Sequence, residues 1–326
     1  MEYSKLGKTD IEISKITFGS WAIGAGKEWG ANLQDTEYQK TIISAFESGI
    51  NFFDTASGYG NGHSEVLLGK TVKSFREKVI ISSKNSSPSL LKSNAEQSVD
   101  ASLKRLNTEY IDVFLVHWPS DKIDVRENIE QLMYLKEKGK IKSIGVSNYT
   151  KKHLKKALEV GQIDVVQPCY SLYWRQIEKE LLPFCADNNI SIMTYSSMAS
   201  GLLSGKFTKN WVFDENDMRN GKIALFKKDV FEKAIETNEK LNFYAEKYNK
   251  SLAQIAINWV INKKGITTAI VGAKTSKQVL ENIKAIGWAL SKEDFDAIGD
   301  ICMGVAKLVS DWDTMYLKSD RRLFMK

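Results

Sequence analysis

Residues 111–147, IDVFLVHWPSDKIDVRENIEQLMYLKEKGKIKSIGVS, hold a strand, a helix and a second strand in the order that decides the fold. In IDVFLVH and IKSIGVS the apolar residues run almost without interruption. Strands of this kind are buried on both faces, which is the behaviour of parallel strands. Between them Ile129, Leu132 and Met133 stand at helical spacing, and the pattern stops at Gly139, a residue suited to a helix C-terminus. The stretch therefore reads as strand, crossover helix, parallel strand.

The same unit recurs in both directions along the chain. Strand-like cores lie at KITFG (15–19), INFFD (50–54), KVIISS (78–83), DVVQP (164–168), ISIMTY (190–195) and TTAIVG (267–272), which with the first two makes eight. A second apolar stripe, Ala95, Val99, Leu103 and Leu106, marks another sheet-packing helix. Ahead of the first unit, EYSKL (2–6) and IEIS (11–14) form a predicted hairpin across GKTD. Eight units predict an α/β protein of the closed (β/α)8 TIM-barrel type, with an N-terminal β-hairpin and extra helices, as a single domain over 1–326.

An open doubly wound sheet is the competing architecture, and it would carry GxGxxG after its first strand. GSWAIGAGKEWG (19–30) misses that spacing by one residue at Gly24, Gly26 and Gly30, and it is rich in bulky aromatics. GLLSGKF (201–207) is one residue short of a phosphate-binding P-loop and lacks the following Ser or Thr. The one long irregular interruption, Ala199 to about Lys228, follows the seventh strand, and a loop of that length is usually functional.

Composition excludes several classes. At 326 residues with 43% hydrophobic and 26% charged residues, the chain is an ordinary globular protein. No segment approaches the roughly 18 apolar residues that span a bilayer, and the start has no signal-peptide core, so a cytoplasmic protein without membrane attachment is expected. Cys169, Cys185 and Cys302 lack the spacing of a disulfide framework or a zinc site. The net charge of +6 is modest, and the KKHLKK cluster (151–156) reads as a solvated helix face, so no nucleic-acid partner is expected. Oligomeric state is not encoded in these features.

In a (β/α)8 enzyme the active site is built at the C-terminal ends of the strands. Here those ends carry Ser20 and Trp21, Asp54, Lys84, His117, Ser147 and Asn148, Gln167, Tyr195 and Ser196, and Lys274. A polar residue ending one strand is commonly just the start of a loop; Asp54 alone could cap a helix and His117 could be a satisfied core histidine. Three such residues, Asp, Lys and His, on successive strand ends would converge on one rim, and loop solvation does not explain that.

The stretch INFFDTASGYGNGHSEVLLGK (50–70), followed by IISSK (80–84), SLKRLNTEYIDVFLVHWP (102–119), IKSIGVSN (141–148), QPCYSLYWR (167–175), YSSMASGLLSGKF (195–207) and VGAKTSKQVLEN (271–282), closely resembles the aldo-keto reductase superfamily. WAIGAGKEWG (21–30) and FDENDMRN (213–220) look most like its bacterial general-stress members. The resemblance implies NADPH-dependent reduction of an aldehyde or ketone, a small-molecule carbonyl substrate, by hydride transfer from the nicotinamide C4, with Tyr59 delivering the proton. A phenol titrates near 10, so Lys84 would lower its pKa, with Asp54 holding Lys84 in place. His117 would complete the tetrad, either donating a hydrogen bond to the carbonyl oxygen or assisting proton transfer.

The same resemblance maps the cofactor. Ser20, Trp21 and Asp54 would lie against it, Ser147, Asn148 and Gln167 would bind the carboxamide, and Tyr195 would stack on the nicotinamide. Ser196, Met198, Ser200, Gly201 and Lys206 match the pyrophosphate-binding stretch, and Arg219 would close over it. Gly272, Lys274 and Gln278 match positions near the adenosine 2′-phosphate, Glu281 and Asn282 those at the adenine. Many relatives carry Arg where this chain has Gln278, so NADH is a possible cofactor beside NADPH. Trp21, Tyr59, His117 and Trp118 would meet the substrate, with Trp29, Tyr173 and Trp174 as further pocket aromatics.

Two other functions compete. A non-catalytic or slow NADPH-binding, redox-sensing subunit is the alternative, since the superfamily includes proteins that accompany potassium channels. A metal-dependent barrel hydrolase would need ligands that His63, His117 and His153 supply poorly, so no metal is expected. The C-terminal run SDWDTMYLKSDRRLFMK (310–326) has three readings: lining the pocket, packing on the barrel's outside, or self-association.

Overall fold

A computed structural model describes residues 1–24, 28–29, 33–310 and 315–316. Gly26 and Gly30 lie outside the described residues, as does most of the C-terminal run. The predicted hairpin is present: β1 (Tyr3–Lys5) pairs antiparallel with β2 (Glu12–Ser14). Eight parallel strands follow: β3 (Ile16–Gly19), β4 (Phe52–Asp54), β5 (Ile80–Asn85), β6 (Ile111–Val116), β7 (Ile141–Ser147), β8 (Val165–Gln167), β9 (Ser191–Thr194) and β10 (Thr268–Gly272). They run in chain order round a closed barrel, with β10 pairing back onto β3. The eight strand cores predicted from the sequence are these eight strands.

The helices form the outer layer: α1 (Asp35–Glu47), α2 (His63–Val72), α3 (Ala95–Leu106), α4 (Val125–Glu137), α5 (Lys151–Ala157), α6 (Leu181–Asp187), α7 (Lys228–Lys247), α8 (Leu252–Ile261), α9 (Ser276–Ile283) and α10 (Lys292–Leu308). Val99 and Leu106 of α3, and Ile129 and Leu132 of α4, are buried, as the apolar stripes required. Helix starts follow local chemistry: Asp124 and Thr275 accept backbone N–H groups at α4 and α9, and Ser251 and Gln254 form a reciprocal capping box at α8. Helix α2 lies so close to α3 that a Cβ on Gly69 would stand 2.1 Å from the Leu106 carbonyl oxygen. Only glycine fits there.

The core has two parts. Most apolar side chains pack between the strands and the helices, while Leu6 and Ile13 from the hairpin region join Phe52, Val113, Leu115, Val165 and Met193 in a separate cluster. The hairpin is thereby tied to inward-facing strand residues, and Gly7 N–H donates to Ser191 Oγ at the start of β9. The C-terminal strand ends are left to the polar residues. No helix among the described residues is long and apolar enough to cross a membrane.

Candidate active site

At the C-terminal end of the barrel lies a cavity of about 310 Å³ lined by Asp54, Tyr59, His117, Ser147, Asn148, Gln167 and Tyr195, with Trp21, Trp29, Trp118 and Tyr316 as aromatic wall. Strand alternation explains its floor. Ser82 and Lys84 occupy the same face of β5, and both reach Asp54 at the end of β4: Ser82 Oγ donates to Oδ1 at 2.7 Å and Lys84 Nζ to Oδ2 at 2.8 Å. Lys84 is fully buried and also donates to the Thr55 carbonyl at 2.6 Å and to Tyr59 Oη at 3.4 Å. Gln167 Nε2 adds a third donor to Asp54 Oδ1 at 3.0 Å. Asp54, Lys84, Tyr59 and His117 are thus brought together as the sequence predicts.

Their electrostatics differ in one respect from expectation. Lys84 does not leave Tyr59 with a lowered pKa. Burial and then the Asp54 carboxylate push the phenol well above 10, because the Lys84 ammonium is already engaged by Asp54 and the Thr55 carbonyl. The Lys84 pKa is itself lowered by burial, against the opposing pull of Asp54. Burial, then the charge of Lys84, holds His117 down to about 3, so its imidazole is neutral around pH 7. The ring lies edge-on to Tyr59, with centroids 6.0 Å apart. The arrangement presents one protonated phenol and one neutral imidazole to a shared cavity.

Beside this floor Asn148, with a left-handed φ of 61°, turns its side chain into a network. It donates to the His117 carbonyl and to Ser147 Oγ, and accepts from Tyr195 Oη at 2.8 Å. After β9, Ser196, Ala199, Ser200 and Gly201 all have positive φ, with Ser196 and Ser200 hydroxyls 3.0 Å apart. Three non-glycine residues in such conformations within one short loop store strain, and turns of this type present backbone N–H groups to anions.

Cations gather past that loop. Lys206, Arg219 and Lys274 line the same cavity. The pKa of Lys206 is lowered by burial and then by Arg219, and that of Lys274 by burial and then by Arg219 and Lys206, with Asp217 opposing in both cases. Asp217 holds Arg219 through both carboxylate oxygens, and Arg219 lies over the Trp29 ring at 5.6 Å. Lys274 Nζ donates to the Trp29 carbonyl at 2.6 Å, while the Trp29 indole N–H is buried with no acceptor among the described residues. Three mutually repelling cations at one end of the cavity fit an anionic, phosphate-bearing ligand.

Several predicted residues sit elsewhere. Ser20 is fully buried behind the wall, donating to the Asp54 carbonyl and meeting Ser64 Oγ at 2.8 Å. Glu281 and Asn282 lie on α9 outside the main cavity; Glu281 pairs with Lys284, and Asn282 Nδ2 reaches the Gly272 carbonyl. Tyr173 and Trp174 are core and not pocket: the Tyr173 hydroxyl bonds Ala234 and Asn238, deep under α7. Gln278 and Met198 do line the cavity, and the Gln278 side chain accepts from the Lys274 backbone.

Among the cavity-lining residues that sequence reasoning missed, the one aromatic is Tyr316. It is buried at the cavity wall, its ring within 6.3 Å of Trp21 and 6.0 Å of Trp118, and the Met315 carbonyl accepts from Ala224 N–H. For this part of the C-terminal run, pocket lining is the reading that holds. His63 pairs with Asp35 and His153 caps α5, and no group of three metal-binding side chains occurs among the described residues.

Comparison with known proteins agrees with this geometry. Residues 15–302 match the model of the aldo/keto reductase family. The chain is 35% identical to the aldo-keto reductase YhdN of Bacillus subtilis, over 92% of this chain and 93% of that protein. It is 33% identical to an NADH-specific methylglyoxal reductase of Escherichia coli, over 90% and 96% of the two chains. Among solved structures, a glycerol dehydrogenase from Gluconobacter oxydans superposes with a TM-score of 0.84 at 30% identity, covering 95% of this chain and 96% of its own. An aldo/keto reductase from Klebsiella pneumoniae in complex with NADP and acetate matches at 0.71 and 25%, covering 89% and 92%. With a closed eight-stranded barrel, a buried Asp–Lys pair beside a tyrosine and a family match over most of its length, this chain belongs to the aldo/keto reductase family.

Proposed function

We propose that the whole chain, 1–326, acts as one catalytic barrel that reduces an aldehyde or ketone to the alcohol with NADPH, Tyr59 serving as general acid. The observation that carries the reading is the placement of Tyr59 Oη 3.4 Å from a fully buried Lys84, on the wall of a cavity it shares with His117. When bound, the reduced nicotinamide supplies hydride to the carbonyl carbon. The protein's own groups handle the oxygen. Tyr59 keeps its proton across neutral pH, because burial and Asp54 oppose the phenolate, and so is loaded as a donor. As the proton leaves Oη, the Lys84 ammonium is the nearest stabilising charge, and Asp54, Ser82 and the Thr55 carbonyl keep it aimed. A neutral His117 serves as a hydrogen-bond donor to the substrate oxygen and not as an acid.

Ser147, Asn148, Gln167 and Tyr195 would hold the nicotinamide end, and the Ser196–Gly201 turns with Lys206, Arg219 and Lys274 the phosphates. The Klebsiella relative's NADP supports a cofactor with a 2′-phosphate, whereas the Escherichia coli relative is NADH-specific, so NADH is the second cofactor to compare. Lys274 is the residue that favours NADPH here. A channel-associated subunit of slow turnover is disfavoured by the intact Asp54–Lys84–Tyr59 contacts. The test is titration of NADPH and NADH by tryptophan fluorescence, followed by a neutral aldehyde and ketone panel. Saturable NADPH binding with turnover supports the reading; tight binding without turnover on any carbonyl overturns it.

A further inference from the structure

Glu65 belongs to the SGYGNGHSE stretch, yet the tetrad leaves it without a task. Its side chain is wholly buried, and it lies on α2 just after the turn that carries Tyr59. Oε1 accepts from Ser83 Oγ at 2.5 Å and Oε2 from Arg105 Nε at 2.5 Å. Ser83 precedes Lys84 and, by strand alternation, faces the helix layer while Lys84 faces the barrel interior. Arg105 reaches in from α3, and it can do so because residue 62 is glycine: with φ at +89°, a Cβ there would meet the Arg105 Cδ at 2.6 Å. The neighbouring residues act alike: Ser64 Oγ meets Thr55 and Ser20 hydroxyls, and His63 holds Asp35. Ser57 joins the Tyr59 loop to the Lys84 carbonyl through its N–H and Oγ, and Glu65 joins the far end of that loop to the neighbouring Ser83 on the same strand.

Resting on the reductase reading above, we propose that Glu65 is a positioning residue of this site: through Ser83 and Arg105 it fixes the Tyr59-bearing loop against β5, the strand that bears Lys84. The groups that face Lys84 are Asp54 at the end of β4, Tyr59 after it and His117 after β6, while Glu65 lies behind β5 on α2. Asp54 and Glu65 are the two carboxylates that stabilise its charge, against the cost of burial. Glu65 itself faces the Arg105 cation, so two buried carboxylates and two cations balance along this side of the barrel.

Glu65→Gln keeps the shape and removes the charge. The reading is the pH at which the Lys84 side chain deprotonates, followed by NMR of lysine-labelled protein with the Lys84 signal assigned by its loss in Lys84→Met. A fall of roughly one pH unit is expected, with about a tenfold loss of kcat at alkaline pH and NADPH affinity within twofold. An unmoved Lys84 titration with wild-type kcat, even alongside a lower melting temperature, overturns the proposal and leaves Glu65 a structural residue. Should Glu65→Gln not fold, Ser83→Ala removes the tie and keeps the charge; it is expected to lower kcat several-fold, and wild-type kcat there overturns the positional role. Because the titration needs no turnover, it separates this proposal from the reductase reading, which fails if Tyr59→Phe turns over normally.

Discussion

Replacing Lys84 by methionine preserves the buried methylene chain and deletes only the ammonium. Two costs can be worked from the structure. At the 3.4 Å separation from Tyr59 Oη, a unit charge pair is worth roughly 5 kcal/mol at an effective dielectric of about 20. The Asp54 carboxylate, 2.8 Å from the same ammonium, cancels part of this. A net of about 2–3 kcal/mol remains for the charge that develops on Tyr59, or roughly a 30- to 150-fold loss of kcat. The second cost is stability. Asp54 is left buried without its cation, a change that typically costs about 3–5 kcal/mol, here toward the low end because Ser82 and Gln167 still donate to it. Adding Asp54→Asn to Lys84→Met removes the stranded charge, so the double variant is expected to be more stable than Lys84→Met alone. Single-turnover NADPH oxidation reads the first effect and urea unfolding by tryptophan fluorescence the second. A Lys84→Met enzyme with kcat within twofold of wild type and unchanged stability would refute the reasoning.

Three further outcomes follow from named contacts. His117, held down to about 3, loses its stabilising neutral form only as pH falls: its contribution is intact above pH 6.5, erodes below that, and is gone below about 3. The ring proton shift of His117 should therefore stay flat from pH 8 to 5, and a midpoint near 6.5 would contradict the site's electrostatics. Lys274→Ala should weaken NADPH binding by roughly tenfold and leave NADH nearly untouched, by loss of one charge-assisted phosphate contact, as measured by fluorescence titration; equal effects on both cofactors would remove Lys274 from the 2′-phosphate. Tyr316→Ala, which opens the wall between Trp21 and Trp118, should raise KM for bulky aromatic aldehydes while cofactor affinity holds. Unchanged KM across a size series would take Tyr316 out of the substrate pocket.

The barrel was legible because its strands are apolar on both faces, a pattern that neither loops nor amphipathic helices produce, and the register of Asp54, Lys84 and His117 at strand ends follows from it. Side-chain direction was not legible. Ser20 ends its strand like the others but turns its hydroxyl to the Asp54 carbonyl and Ser64, and nothing in GSW distinguishes the two rotamers. Tyr173 and Trp174 follow Gln167 closely, yet their chain folds back under α7, so proximity in sequence placed them wrongly. Tyr316 reaches the pocket by pairing with Ile223, more than ninety residues earlier, and no local pattern encodes that meeting. The direction of the Tyr59 shift likewise depends on burial and on how fully Asp54 and Thr55 occupy Lys84, quantities that exist only in three dimensions.

The central claim is that Tyr59 delivers the proton from within the Asp54–Lys84 pair's reach. Tyr59→Phe removes one oxygen and leaves the ring, which stacks on Trp21 at 5.7 Å, in place. Measured side by side, NADPH affinity by fluorescence and aldehyde reduction by absorbance should separate: binding within about twofold of wild type, and turnover lower by at least roughly 100-fold, as loss of a general acid requires. Turnover equal to wild type with the same NADPH affinity would contradict the account.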